Sequence, residues 1–229
     1  MDRQNLKRRL TAQHQMSEAF VLAALLAFCG GFQDAYTYLL RDQVFANAQT
    51  GNVVLMSTEF IDGRWTAALR HLIPLISFAA GIFIAEYIQV KFKESKKLHW
   101  RQIVLIIEML IMTAVGFFPQ SLNLSANCLV SLSCAMQVQS FRTVSGNAYA
   151  STMCIGNIRS AVTSFSEYIR TKKRSYRDTA LHYFGVIAVF AMGAGICGQI
   201  TPHLGVKTIW LSLPILFLSL MMMELDREK

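Results

Sequence analysis

Six long runs carry almost no charge: Ala19 to Tyr38, Leu72 to Val90, Ile103 to Phe118, Leu122 to Phe141, Thr179 to Ile200 and Thr208 to Met223. A helix needs about 20 apolar residues to cross a hydrocarbon core of about 30 Å, and each run is about that long or slightly short. Inside lipid the backbone must satisfy its own hydrogen bonds, so apolar runs of this length fold as helices. Charged residues make up only 16% of the chain, against roughly 25% for a soluble domain. An all-α polytopic membrane protein is the expected class.

The net charge of +8 would point to nucleic acid in a soluble chain. Here the positive residues stand in blocks at the ends of the apolar runs, where they orient the chain in a bilayer. No nucleic-acid partner is expected; the bilayer itself is. Five cysteines, Cys29, Cys128, Cys134, Cys154 and Cys197, are odd in number and show no CxxC spacing. They read as buried thiols, with neither metal nor disulfide.

The stretch Asn47-Ala48-Gln49-Thr50-Gly51-Asn52 returns, altered, as Thr152-Met153-Cys154-Ile155-Gly156-Asn157. The offset of about 105 residues is close to half the chain and indicates an internal duplication. Neither copy opens a good spanning helix. The segment Val44 to Phe60 is short and begins polar, and Tyr149 to Ile169 contains Asn157, Arg159, Ser160, Thr163, Ser164, Ser166 and Glu167.

Loop charge separates two topologies. If both segments crossed, there would be eight spans in two parallel four-span repeats. The block Lys91, Lys93, Lys96, Lys97, Arg101 would then lie opposite both the head Lys7-Arg8-Arg9 and the block Arg170, Lys172, Lys173, Arg174, Arg177. That contradicts the excess of Lys and Arg on cytoplasmic loops. The alternative has six transmembrane helices plus two short broken or re-entrant segments, in two inverted three-span repeats. The expected boundaries are a cytoplasmic basic head 1–18, repeat one 19–118, repeat two 119–223 and a cytoplasmic tail 224–229.

Non-helical backbone at membrane depth persists only inside protein or beside a wet cavity. Gly51 and Gly156 offer backbone freedom, while Thr50, Asn52 and Asn157 can satisfy freed amides or cap the following helix. Two readings remain open: a ligand site at the start of each half-helix, or close helix packing through small residues.

The candidate substrate-binding residues are Gln33, Asp34, Asn47, Thr50, Gly51, Asn52, Gln137, Gln139, Arg142, Gly156 and Asn157. Asp34 and Glu108 are proton-coupling candidates, because ionisable groups inside apolar helices are costly and mark pathways or relays. Asp34 and Arg142, one from each half, could pair across the interface or act separately. Arg159 stands where repeat one has Val54, which hints at a negatively charged solute; as a cytoplasm-facing Arg it would equally satisfy the orientation rule. No phosphate loop, HExxH, nucleophile elbow or metal spacing is present. No enzyme, catalytic residue, metal or cofactor is expected.

Gly30-Gly31-Phe32-Gln33-Asp34-Ala35-Tyr36, then Val44 to Asn52, then Gln137-Val138-Gln139-Ser140-Phe141-Arg142 with Gly146-Asn147-Ala148, resemble the signature of the YoaK family. These are bacterial multi-pass membrane proteins of unknown function. The resemblance implies a six-span protein of the bacterial inner membrane. Ile155 stands where that family commonly has Thr before the second Gly. The expected function is a secondary transporter or permease for a small polar solute, anionic or neutral, with both termini cytoplasmic and homo-oligomerisation open. The alternative is a non-transporting sensor or assembly protein with structural Gly-Asn segments.

Overall fold

The computed structural model describes residues 3–93, 98–144, 147–148 and 154–227. Lys96, Lys97, Gly146, Thr152 and Met153 lie outside the described residues. The fold is helical apart from a two-rung antiparallel ladder between Thr143–Val144 and Asn147–Ala148. Eight α-helices follow in order: α1 Arg3–Leu40, α2 Gln49–Ile61, α3 Trp65–Phe92, α4 Trp100–Val115, α5 Asn123–Ser140, α6 Cys154–Thr171, α7 Arg174–Leu204 and α8 Ser212–Arg227. Tight 3-10 turns, Gln120–Leu122 and Gly205–Leu211, precede α5 and α8. Among the described residues, three helical stretches are long and apolar enough to cross a membrane: Phe20–Leu40, Trp65–Phe92 and Arg174–Glu224.

Two extensive packing seams organise the molecule, α1 along α7 and α3 along α5. Both depend on glycine. A methyl group at Gly31 or Gly193 would overlap the carbonyl oxygen of Phe190 or Phe28 across the first seam, and one at Gly81 would overlap that of Leu132 across the second. Backbones that touch this closely gain dispersion contact and admit no side chain between them.

Contacts along each seam fix the direction of the helices. Phe20 stacks on His182 with ring centroids 4.9 Å apart, and further along α1 the Tyr36 hydroxyl donates to the Val206 carbonyl at 2.9 Å, so α1 and α7 run parallel. Gly81 meets Leu132 while Glu86 meets Gln139 and Arg142, so α3 and α5 are also parallel. Gln137 Nε2 donates to the Leu26 carbonyl at 3.2 Å and Asn127 Nδ2 to that of Arg41 at 2.7 Å, which makes α5 antiparallel to α1. Gln33 meets Glu108 and Arg41 meets the Val115 carbonyl, setting α4 parallel to α1. Gln102 Nε2 donates to Glu224 and Trp210 Nε1 to the Thr113 carbonyl, so α8 opposes α4. Leaving α2 and α6 aside, successive helices therefore alternate in direction.

The main core is built on Leu26, Phe32, Tyr36, Leu105, Met112, Val130, Ile209 and Leu216 from α1, α4, α5, the turn before α8 and α8 itself. Helix α5 lies deep within it. Asn123, Asn127, Ser131, Ser133, Gln137 and Ser140 are all buried there, surrounded by protein, so α5 has little need of an apolar surface. That explains why a helix inside the bundle falls short of the hydropathy of a membrane-crossing one.

Candidate functional site

After α1 the chain turns through Asp42 and Gln43, both left-handed at φ 61° and 57°, and runs back along α1. Asn47 thereby comes level with the middle of the 20–40 stretch: its Nδ2 donates to the Gly30 carbonyl at 3.1 Å, and its backbone N–H donates to Asp34 Oδ1 at 2.9 Å. The amides of Ala46 and Ala48 also face that carboxyl group. Ala48, at the start of α2, has no side chain able to cap it. Asp34 supplies the cap from another helix, placing an acidic group at the positive end of the α2 dipole.

Asn52 is fully buried and its amide is entirely engaged. Its Oδ1 accepts from Phe45 N at 3.0 Å, and its Nδ2 donates to Phe45 O at 2.6 Å and to Gln49 Oε1 at 2.9 Å. It staples the returning loop onto the first turn of α2. Gly51 has ordinary helical geometry, as does Gly156; the left-handed glycines are Gly63 and Gly205. What Gly51 provides is space, because a Cβ there would press on the Phe45 ring, which stacks on Tyr38 at 4.7 Å. Nothing lies within 4 Å of a Cβ built at Gly156. Thr50 is exposed beside this turn.

One residue before Asp34, Gln33 points into the core. Its Nε2 donates to Glu108 Oε1 at 2.9 Å, and its Oε1 accepts from the Cys134 thiol at 3.1 Å. Glu108 is 1% exposed, and its Oε2 has no hydrogen-bond partner among the described residues. Gln137 is buried on the same helix as Cys134. Glu108, Gln33 and Cys134 thus join α4, α1 and α5 through one polar junction inside an apolar core.

The second Gly-Asn segment begins in the same neighbourhood. Cys154, the first described residue of α6, is within electrostatic reach of Asp34, and Asn157 is buried one turn later. Asp34 therefore abuts the start of α2 through hydrogen bonds, whereas α6 packs along α7 with its first described residue nearby. Gln139 and Arg142 stand apart from this neighbourhood: both bond Glu86, Arg142 at 3.3 Å through half-exposed side chains. No Asp34–Arg142 pair forms.

Arg41 escapes sequence reasoning, because a charge just after an apolar run looks like an ordinary helix-end residue. It is fully buried. Its guanidinium donates to the Tyr36 hydroxyl, to Asn123 Oδ1 and to the carbonyls of Val115, Phe118 and Pro119 at 2.8 to 3.2 Å. It thereby satisfies carbonyls left open at the end of α4 and ties the α4–α5 turn to α1. At the α2–α3 turn, Arg64 bonds Glu59 and pairs with Asp62 at 2.7 Å; the hydrogen bond holds the Glu59 carboxyl below its usual range.

Long apolar helices enclosing a buried acid–amide junction define an integral membrane protein. The chain belongs to the family described as Protein of unknown function (DUF1275), which matches residues 22–222. It is similar to the UPF0700 transmembrane protein YoaK of Bacillus subtilis (strain 168), at 24% identity over 206 residues that cover 86% of this chain and 90% of the relative. No solved structure matches it.

Proposed function

We propose that this protein is a proton-coupled secondary transporter or permease for a small polar solute, built from two inverted three-span repeats, 19–118 and 119–223. The observation that carries the proposal is the buried Gln33–Glu108 junction beside Asp34, which caps the half-helix α2, with the first described residue of α6 within electrostatic reach of the same acid. Six long helices alternate in direction, and α2 and α6 each leave and return at one end of the bundle, the two ends being opposite. Exchanging α1–α4 for α5–α8 maps the α1–α7 seam onto α5–α3 and the α2–α3 hairpin onto α6–α7. Such inverted repeats with broken helices at mid-depth recur in secondary transporters.

Charge supports an orientation with both termini in the cytoplasm of a bacterial inner membrane. Lys91, Lys93, Arg101, Arg142, Arg170, Lys172, Lys173, Arg174 and Arg177 gather at the end where α1 begins. The other end carries Arg64, Arg70, Lys207 and the buried Arg41 among Asp42, Glu59 and Asp62, fewer basic residues than the first end, and the basic excess marks the cytoplasmic side. Glu108 is the proposed proton carrier, since an ionisable group with a free oxygen in an apolar core is costly unless it works. The partners are the bilayer and a small solute; no cofactor or catalytic role is assigned.

The test is proton movement in liposomes containing the purified protein and a pH-sensitive dye, challenged with small sugars, amino acids, carboxylates and phosphate. At least one class should drive acidification in wild type, and Glu108→Gln, which keeps a side chain able to bond Gln33, should abolish it without unfolding the protein. Equal proton flux in Glu108→Gln would remove Glu108 from the mechanism. A second reading, a scaffold or sensor, is favoured by the engagement of Asn52 and Asp34 with backbone. It predicts no solute-driven flux; a scaffold also predicts no solute-dependent rise in thermal stability, whereas a sensor would show that rise without flux.

A further inference from the structure

Helix α6 has three faces, and the third has no place against lipid. Asn157, Ala161, Ser164 and Tyr168 are buried or half-buried on the side packed along α7. Ile155, Ile158, Val162, Phe165 and Ile169 form an exposed apolar stripe with the spacing of one helical face. A quarter turn further round, at about 100° per residue, lie Arg159, Thr163, Ser166 and Arg170, all exposed.

The apolar stripe is suited to hydrocarbon, and the polar stripe is not. Arg159 has no ion-pair or hydrogen-bond partner among the described residues, and neither the Thr163 nor the Ser166 hydroxyl has one. In α2, by contrast, Ser57 donates back to the Val53 carbonyl at 2.8 Å and Thr58 to that of Leu55 at 2.9 Å, so those hydroxyls are satisfied within the helix. α2 also carries neutral Val54 where α6 carries Arg159. Cys154, the first described residue of α6, is within electrostatic reach of Asp34, and Arg159 lies about 7.5 Å further along the helix axis at 1.5 Å per residue. A charged, unpaired side chain within an apolar layer is costly against hydrocarbon, and a water-filled cavity removes that cost.

We infer that the polar face of α6 lines an aqueous vestibule opening toward Arg170, Lys172 and Lys173, and that Arg159 recognises an oxyanion there, a carboxylate or phosphate group. The planar guanidinium suits such groups, which it can hold by two parallel hydrogen bonds. The inference rests on the six-span reading, which makes the mouth of the vestibule cytoplasmic, and it narrows the solute to an anion.

Single cysteines at Thr163, Ser166, Val162 and Phe165, introduced with the native cysteines replaced by serine, test it in vesicles of purely zwitterionic lipid. A membrane-impermeant thiol reagent on the cytoplasmic side should modify Thr163→Cys and Ser166→Cys at least ten-fold faster than Val162→Cys and Phe165→Cys. Inorganic phosphate or succinate, but not glycerol, should slow that reaction in a chain retaining Arg159 and leave it unchanged with Arg159→Gln. Equal reactivity on both stripes would overturn the vestibule. Protection only after anionic lipid is added would assign Arg159 to a lipid headgroup and overturn solute recognition. Faster reaction from the periplasmic side would instead sink the six-span reading, which separates the two failures.

Discussion

At the residue scale, Asn52 shows how a polar motif can be both conspicuous and internally spent. Its amide reproduces, for Phe45, the pairing a strand neighbour would give, using one acceptor and one donor on the same peptide. Replacing it with alanine leaves a buried N–H and C=O unmet, at about 1–3 kcal/mol for each orphaned group. Asn52→Ala should therefore melt at a clearly lower temperature in detergent, whether or not a solute is present, whereas Thr50→Ala at the neighbouring exposed position should melt like wild type. An unchanged melting temperature for Asn52→Ala would show that the loop is held by something else. Asp34 and Glu108 were legible from the sequence because acids within apolar runs are rare. Arg41 was not, since its acceptors are main-chain carbonyls of Val115, Phe118 and Pro119, and carbonyls leave no trace in residue type.

At the element scale, each apolar run falls on a helix, with α1, α3 and α7 extending past their runs at both ends and the last run opening in the 3-10 turn before α8. Helix α5 was less transparent: its serines and asparagines look like a weak membrane helix until the surrounding helices are seen to shield them. The glycines that fix the seams were also hidden, because nothing local distinguishes Gly193, where a Cβ would overlap the Phe28 carbonyl, from Gly195, where a Cβ would have nothing within 4 Å. That contrast yields a paired prediction. Gly193→Leu should push α7 off α1 and cost at least the 1–3 kcal/mol typical of overpacking. Gly195→Ala should be neutral or stabilising by up to about 1 kcal/mol through helix propensity. Thermal unfolding of both variants by tryptophan fluorescence measures the difference; similar losses would mean that glycine serves chain flexibility in α7 rather than the crossing.

At the scale of the whole molecule, the direction of each helix decides what α2 and α6 can be. Because α1 and α3 oppose one another, as do α5 and α7, the segment that contains each short helix must leave and return on the same side of the bundle. Asp62 and Lys207 then share one face of the membrane, and Lys93 and Lys173 share the other. Were α2 and α6 complete crossings, the pairing would change: Asp62 would lie with Lys173, and Lys93 with Lys207. A cysteine placed singly at each position, in a chain with its native cysteines replaced by serine, distinguishes the two arrangements by which pairs an impermeant reagent reaches from outside intact cells. Labelling of Asp62→Cys and Lys207→Cys alone is the expected result. It follows physically from the glycine seams, since two parallel pairs, α1 with α7 and α3 with α5, opposed to each other, can be threaded by one chain only if the segments between α1 and α3 and between α5 and α7 turn back. Labelling of Lys93→Cys together with Lys207→Cys would leave each seam parallel but turn the α3–α5 pair round relative to α1–α7, which the Gln137–Leu26 and Asn127–Arg41 hydrogen bonds forbid; that result would overturn the helix directions on which the proposed site is built.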